Sequence, residues 1–205
     1  MRWVIFCWSK SNLPPRGLRE DDVIVCADSG VEYARRCGVT PSIVLGDFDS
    51  YSGDLPSHTE LIRLPKEKDD TDTMFAVRLG LERGVSEFLI AGGIGGRLDH
   101  TLGAVQTLNF IVSNGASACM SDGIQSIEIL SAPVAKEYFA ENCKYFSVLA
   151  LTPEVSGLTL QGVKYPLNNA SLTYDFPLGI SNEILAAKAT LSVALGRIAV
   201  VQSSD

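Results

Sequence analysis

The sequence predicts an α/β fold in two parts, a mainly parallel sheet with helices followed by a small all-β domain. Three observations carry this. Short apolar runs alternate with amphipathic segments up to about residue 122, the pattern of strands joined by crossover helices. A glycine loop, Gly92-Gly93-Ile94-Gly95-Gly96, separates the apolar run Glu87-Phe88-Leu89-Ile90-Ala91 from a helical stripe. After about residue 126 the helical stripe disappears, and short β-rich runs are divided by Pro, Gly and Asn-Asn turns. The expected domains are residues 1–124 and 125–205.

Each element follows from its local pattern. Trp3-Val4-Ile5-Phe6-Cys7-Trp8 is too short for a signal segment or a membrane span and reads as the first strand. Residues 22–27, 42–46 and 60–64 are further strands, and 31–37 is helical. Residues 73–83 form a helix with Met74, Val77 and Leu81 on one face and Gly84 as its stop. Leu98, Leu102, Val105, Leu108, Ile111 and Val112 fall at three- and four-residue spacing and predict an amphipathic helix ending near Asn114-Gly115. In the second part, residues 126–130, 144–151, 157–160, 170–174, 189–195 and 197–201 read as strands.

Composition narrows the function. A net charge of −7 argues against a general nucleic-acid partner and means that any phosphate ligand needs local cations or a metal. Five scattered cysteines, with no Cys-x-x-Cys, argue against a disulfide framework and for a reducing compartment, so the expected location is cytoplasmic.

Strand, glycine loop and helix together aim backbone N–H groups at an anion, although glycines also serve a plain tight turn. Arg97 at the helix start is disfavoured by the helix dipole, so an anion is expected beside it. Asp28, Asp47 and Asp49 each follow an apolar run, so with Arg97 and Asp99 they gather at the carboxyl edge of a parallel sheet. In extended chain the Cα atoms of Asp47 and Asp49 stand about 6.5–7 Å apart on one side. Such a pair suits a hard cation, or else ordinary turn chemistry. Lys68-Asp69-Asp70-Thr71-Asp72 caps the next helix but holds more carboxylates than a cap needs, and Asp69 and Asp72 can share a helix face. His58 reads as a solvated loop residue.

These motifs, in this order, resemble the thiamine pyrophosphokinase (thiamine diphosphokinase) family in its bacterial form. The resemblance rests on Ala27-Asp28-Ser29-Gly30, Gly46-Asp47-Phe48-Asp49-Ser50, Lys68-Asp69-Asp70-Thr71-Asp72 and Gly93 to His100. The β-rich part adds Gly157-Leu158-Thr159-Leu160-Gln161-Gly162, Tyr165-Pro166-Leu167 and Gly179-Ile180-Ser181-Asn182-Glu183.

The resemblance implies a Rossmann-like α/β catalytic domain, a β-sandwich that meets thiamine, and a homodimer with active sites shared between chains. It implies transfer of a diphosphoryl group from ATP to thiamine, giving thiamine diphosphate and AMP, with Mg2+. By motif position, Asp47, Asp49 and Asp72 are the expected metal ligands, and Asp72, Arg97 and Asp99 the expected catalytic groups. Asp28, Lys68, Asp69, Gly95, Gly96, Arg97 and His100 are expected around the nucleotide, with Ser181 and Asn182 at thiamine. No nucleic-acid or membrane partner is expected. Ser29 stands where the family often has a second Gly. Both tryptophans precede the β-rich part, so a thiamine platform there would fall to a residue such as Tyr165 or Tyr174. The competing expectations are a haloacid-dehalogenase-type phosphatase, from the Asp47-Phe48-Asp49-Ser50 loop, and a non-catalytic nucleotide- or thiamine-binding protein.

Overall fold

The computed structural model describes residues 1–47, 58–65 and 69–204. The chain separates into two compact units, Met1–Gly123 and Ile124–Asp205.

Among the described residues of the first unit, six strands pair in parallel in the order β4-β3-β2-β1-β5-β6. They are β1 (Arg2–Phe6), β2 (Val23–Ala27), β3 (Ile43–Gly46), β4 (Glu60–Arg63), β5 (Glu87–Ala91) and β6 (Ser117–Ser121). The central strands are apolar throughout because helices cover both faces. Helix α1 (Gly30–Arg36) packs Val31, Tyr33 and Ala34 against Val4, Phe6, Ile24, Cys26 and Leu89. Helix α2 (Asp72–Glu82) lies on the opposite face, where Gly80 meets Trp3 and Phe88. Helix α3 (Leu98–Ser113) follows β5 and packs by β6.

Two helix faces differ from the sequence expectation. Helix α2 buries Ala76, Val77 and Gly80 rather than Met74 and Leu81, because the bulky Trp3 and Phe88 rings demand small partners. Helix α3 buries only Thr107, Leu108 and Ile111. Its first turns line a cavity with Thr101, Gly103 and Ala104, leaving Leu98 and Leu102 73% and 57% exposed.

The second unit is an antiparallel sandwich. One sheet holds β7 (Ser126–Ser131), β13 (Arg197–Ser203) and β9 (Tyr145–Ala150), with β13 in the middle. The other runs β11 (Leu167–Thr173), β10 (Glu154–Gln161), β12 (Lys188–Val193), β8 (Val134–Phe139). Alternating residues of the two sheets, among them Phe146, Val148, Leu158, Leu160, Leu191 and Val200, fill the core between them. Strands β6 and β8 were not expected from sequence. The first is Ser-Ala-Cys-Met-Ser, with little β-branched character; the second is an edge strand whose Lys136 and Glu137 mask the alternation.

A methyl group at Gly80 would stand 2.6 Å from Phe88 Cε1 and 3.0 Å from Trp3 Cε3. Gly80→Ala gains about 1 kcal/mol of helix propensity and loses about 1–3 kcal/mol to overpacking. The expected net is a lower urea midpoint at unchanged slope. A raised midpoint would mean that the Phe88 ring yields freely.

Candidate active site

The chain fills the sheet outward from β1 to β4, then returns to β5 on the other side of β1. The switch point therefore lies between β1 and β5, and a crevice opens beyond the carboxyl ends of these strands. A cavity of about 660 Å³ occupies that crevice, with Cys7 and Trp8 on one wall and Gly93, Gly96, Arg97, Asp99 and His100 on another. Asp28, Ser29, Thr71, Asp72 and Thr73 come from the β2–α1 turn and the start of α2. Burial pushes the Cys7 thiol up to about 12, so Cys7 is wall rather than nucleophile.

The carboxylates take different places. Asp28 follows β2 in the left-handed region at φ 48, exposed, and its N–H donates to Leu45 O at 2.9 Å, tying it to the end of β3. Asp47 is half-buried just beyond β3. Thr71 caps α2, its hydroxyl accepting from Met74 N at 3.1 Å, so Asp72 is the first helical residue and Asp69 lies before the helix. The expected shared helix face for Asp69 and Asp72 is therefore corrected: the cap intervenes. Asp70 pairs with Arg78 at 3.1 Å. Asp72 is half-buried on the cavity wall, with Oδ1 shielded from solvent. Asp49 and Lys68 lie outside the described residues.

Gly95 stands at φ 79 with open space where a side chain would begin, so its backbone alone calls for glycine. Gly96 is different: a methyl there would lie 2.4 Å from Trp8 Cζ3. Arg97 occupies the N-cap position of α3 without a side-chain cap bond. The anion expected beside it is Asp99, whose carboxylate accepts from Arg97 Nη2 at 2.6 Å and Nε at 3.1 Å. Asp99 Oδ1 also accepts from His100 N at 3.0 Å. The Arg97 hydrogen bond, helped by that from His100, holds the Asp99 carboxyl below its ordinary value. All three side chains are exposed on the cavity rim.

In the second unit Ser181 is exposed, with φ 59, and its N–H donates to Ser147 Oγ at 3.0 Å. Asn182 is only 5% exposed. Its Oδ1 accepts from Tyr165 N and Glu183 N, both at 3.0 Å, and its Nδ2 donates to Tyr165 O at 2.9 Å. The Asn182 side chain is thus hydrogen-bonded to backbone on both its amide atoms, while Ser181 and Tyr165 face solvent. His58 is exposed, as its polar loop suggested.

Sequence reasoning passed over Trp8, because the apolar run leading into it reads as one strand. The usable signal was its position: β1 stops at Phe6, and residues just beyond a strand's carboxyl end face the crevice.

Fold and site place the chain among the α/β proteins that take a ligand at a switch point between parallel strands. Residues 15–120 match the thiamin pyrophosphokinase catalytic domain, and residues 136–198 the thiamin pyrophosphokinase vitamin B1 binding domain. The thiamine pyrophosphokinase of Bacillus subtilis (strain 168) is 31% identical over 191 residues, 91% of this chain and 89% of that protein. A crystal structure of the thiamine pyrophosphokinase from Bacillus subtilis aligns with TM-score 0.88 at 28% identity, covering 100% of both chains. That of a thiamin pyrophosphokinase family protein from Enterococcus faecalis aligns at 0.81 and 30% identity, covering 100% of this chain and 98% of that one. The chain belongs to the thiamine pyrophosphokinase family.

The contact between Trp8 and Gly96 is open to test by itself. Gly96→Ala should cost about 1–3 kcal/mol of stability when Trp8 is present. Beside Trp8→Ala the loss should shrink, with a coupling of at least about 0.5 kcal/mol in a double-mutant cycle on urea unfolding. Additive losses would assign Gly96 to backbone demands instead.

Proposed function

We infer that this protein transfers a diphosphoryl group from ATP to thiamine. The thiamine hydroxyl oxygen forms a bond to the β-phosphorus, the bond between the β-phosphorus and the α,β-bridging oxygen breaks, AMP leaves, and the hydroxyl proton passes to solvent or a nearby carboxylate. The observation that carries the reading is the match to both family domains in the expected order, on a sheet whose switch-point cavity is lined by residues of the Asp28, Asp72 and Gly93–His100 motifs. Phosphoryl transfer of this kind asks for positioning and charge stabilisation more than covalent help. The N–H groups of Gly95 and Gly96 and the Arg97 guanidinium would face the transferring group. Asp28, Asp69 and His100 would bound the nucleotide, with Lys68 added from sequence. Asp72 and Asp99 are the carboxylates nearest that chemistry. Ser181, held by Ser147 and Asn182, would meet thiamine.

The donor set suits magnesium. Asp47 and Asp72 offer hard carboxylate oxygens after β3 and at the start of α2, and magnesium takes one or two carboxylates together with substrate phosphates. Among the described residues no three His, Cys, Asp or Glu side chains form a ready-made cage, so phosphate oxygens would complete the coordination. Asp47 and Asp72, with Asp49 from sequence, would hold the ion, which supplies positive charge against the phosphate oxygens when bound. The proposed assembly is a homodimer with shared sites, as the family resemblance implies, in which the exposed Leu98 and Leu102 on α3 would be available for contact. Among the described residues no helix is long and apolar enough to cross a membrane, and the five cysteines form no disulfide, which suits the proposed cytoplasmic location.

Incubation with ATP, magnesium and thiamine should yield AMP and thiamine diphosphate in equal amounts. Asp47→Asn and Asp72→Asn should each lower turnover by more than about a hundredfold while leaving the unfolding midpoint nearly unchanged, since each removes a charge at constant volume. Normal turnover in both would return these residues to turn and cap chemistry.

The shared site makes a separate prediction. Asp72→Ala and Ser181→Ala proteins, each inactive alone, should regain activity when unfolded and refolded together, because one site of the mixed dimer carries both lesions and the other none. Demonstrated mixed dimers without recovery would reject sharing.

A further inference from the structure

Trp8 precedes residues 15–120, the part matched to the catalytic domain, and no role above uses its side chain. It is nonetheless the largest side chain on the cavity wall and remains 43% exposed there. Its six-membered ring lies so close to Gly96 that no side chain fits between them. Gly96 has no positive φ, so the ring, and not the backbone, is what requires glycine at this position.

The stem that carries Trp8 is fixed. Its carbonyl accepts from Gly93 N at 3.1 Å, and Arg36 Nη2 donates to Ser9 O at 2.5 Å. Tyr33 OH donates to Leu13 O at 2.7 Å and anchors the far side of the same loop. Lys10 Nζ stands 5.9 Å from the indole centroid, a cation beside the ring in a chain of net charge −7. A half-exposed indole on a fixed stem, in contact with a glycine loop and flanked by a cation, fits a ligand that is planar at one end and anionic at the other.

We propose that Trp8 is the wall on which the purine of the nucleotide stacks, and that it sets which base the enzyme accepts. The proposal rests on the diphosphokinase reading and adds to it. Thiamine also carries a flat heterocycle. The nucleotide is favoured because the ring is in contact with the same glycine loop whose N–H groups would receive the phosphates, so base and phosphates are read from adjoining surfaces.

Two measurements test this. Binding is followed by tryptophan fluorescence, with Trp3, 1% exposed, as the constant background. An ATP analogue with a methylene in place of the α,β-bridging oxygen should quench the wild type and not Trp8→Phe. Tripolyphosphate, which has no base, and thiamine alone should leave the emission unchanged. In turnover, Trp8→Ala should raise KM for ATP about ten- to a hundredfold with KM for thiamine within about twofold, and Trp8→Phe should recover most of the loss. Quenching by thiamine alone, an unchanged KM for ATP in Trp8→Ala, or a loss confined to kcat would each overturn the proposal. Should Trp8→Ala fail to fold, the wild type and Trp8→Phe still decide it. A wild type that makes no AMP would sink the diphosphokinase reading, whereas the quenching experiment would still report on the stack.

Discussion

The site depends on the continuation of backbone pairing past the ends of β1 and β5. The two strands run in register from Arg2 opposite Glu87 to Phe6 opposite Ala91. Beyond that, Cys7 N donates to Ala91 O at 2.9 Å, Gly93 N to Trp8 O at 3.1 Å, and Gly92 N to Ser121 O at 2.9 Å. Loops at a switch point would otherwise diverge freely. Here they are stitched together for two further residues, and only Gly92 permits it: a methyl there would lie 2.8 Å from Trp8 O. The direction of Trp8, the position of Gly96 and the start of α3 all follow from these bonds.

Charge is the second constraint. An acidic chain that handles a polyanion must hold its cations without losing them to its own carboxylates. Arg97 shows one solution. Its guanidinium lies against Asp99, with both side chains in solvent, where ion pairs are weak and screened. Asp99 is also satisfied by His100 N and suits the positive end of α3, so it does not depend on Arg97. The pair therefore holds the guanidinium weakly, and on the proposed reading a phosphate, which carries more charge than one carboxylate, would take it while Asp99 keeps its place.

Most of the architecture was legible because it is written in periodicity. β5 was read to its residues, and β2 and β3 to within one, since buried parallel strands are unbroken apolar runs. What periodicity could not give is which side of a helix the core takes. The stripe through Leu98 and Leu102 is real but faces outward, because α3 begins beside a cavity rather than over the sheet. The buried face of α2 was hidden for the opposite reason: its contacts are Ala76 and Gly80, and small residues carry little hydrophobic signal. Strand-end position marked Asp28, Arg97 and Asp99, which line the cavity, but sequence could not distinguish a glycine required by its backbone, Gly95, from one required by a neighbour's ring, Gly96.

The Ser181-Asn182 pair shows why a motif does not assign chemistry residue by residue. Ser181 adopts a left-handed conformation that a serine holds only when its surroundings determine it. Those surroundings are its own N–H on Ser147 Oγ and the neighbouring Asn182, whose amide receives and donates on both sides of the Tyr165 peptide. One side chain fixes two segments of the sandwich, each ending in an exposed group, Ser181 on one and the Tyr165 ring on the other. Loss of the Asn182 amide would leave buried peptide groups unpaired and release both segments. The motif needs its buried member as much as its exposed one: the Asn182 amide holds the segments from which the Ser181 hydroxyl and the Tyr165 ring project.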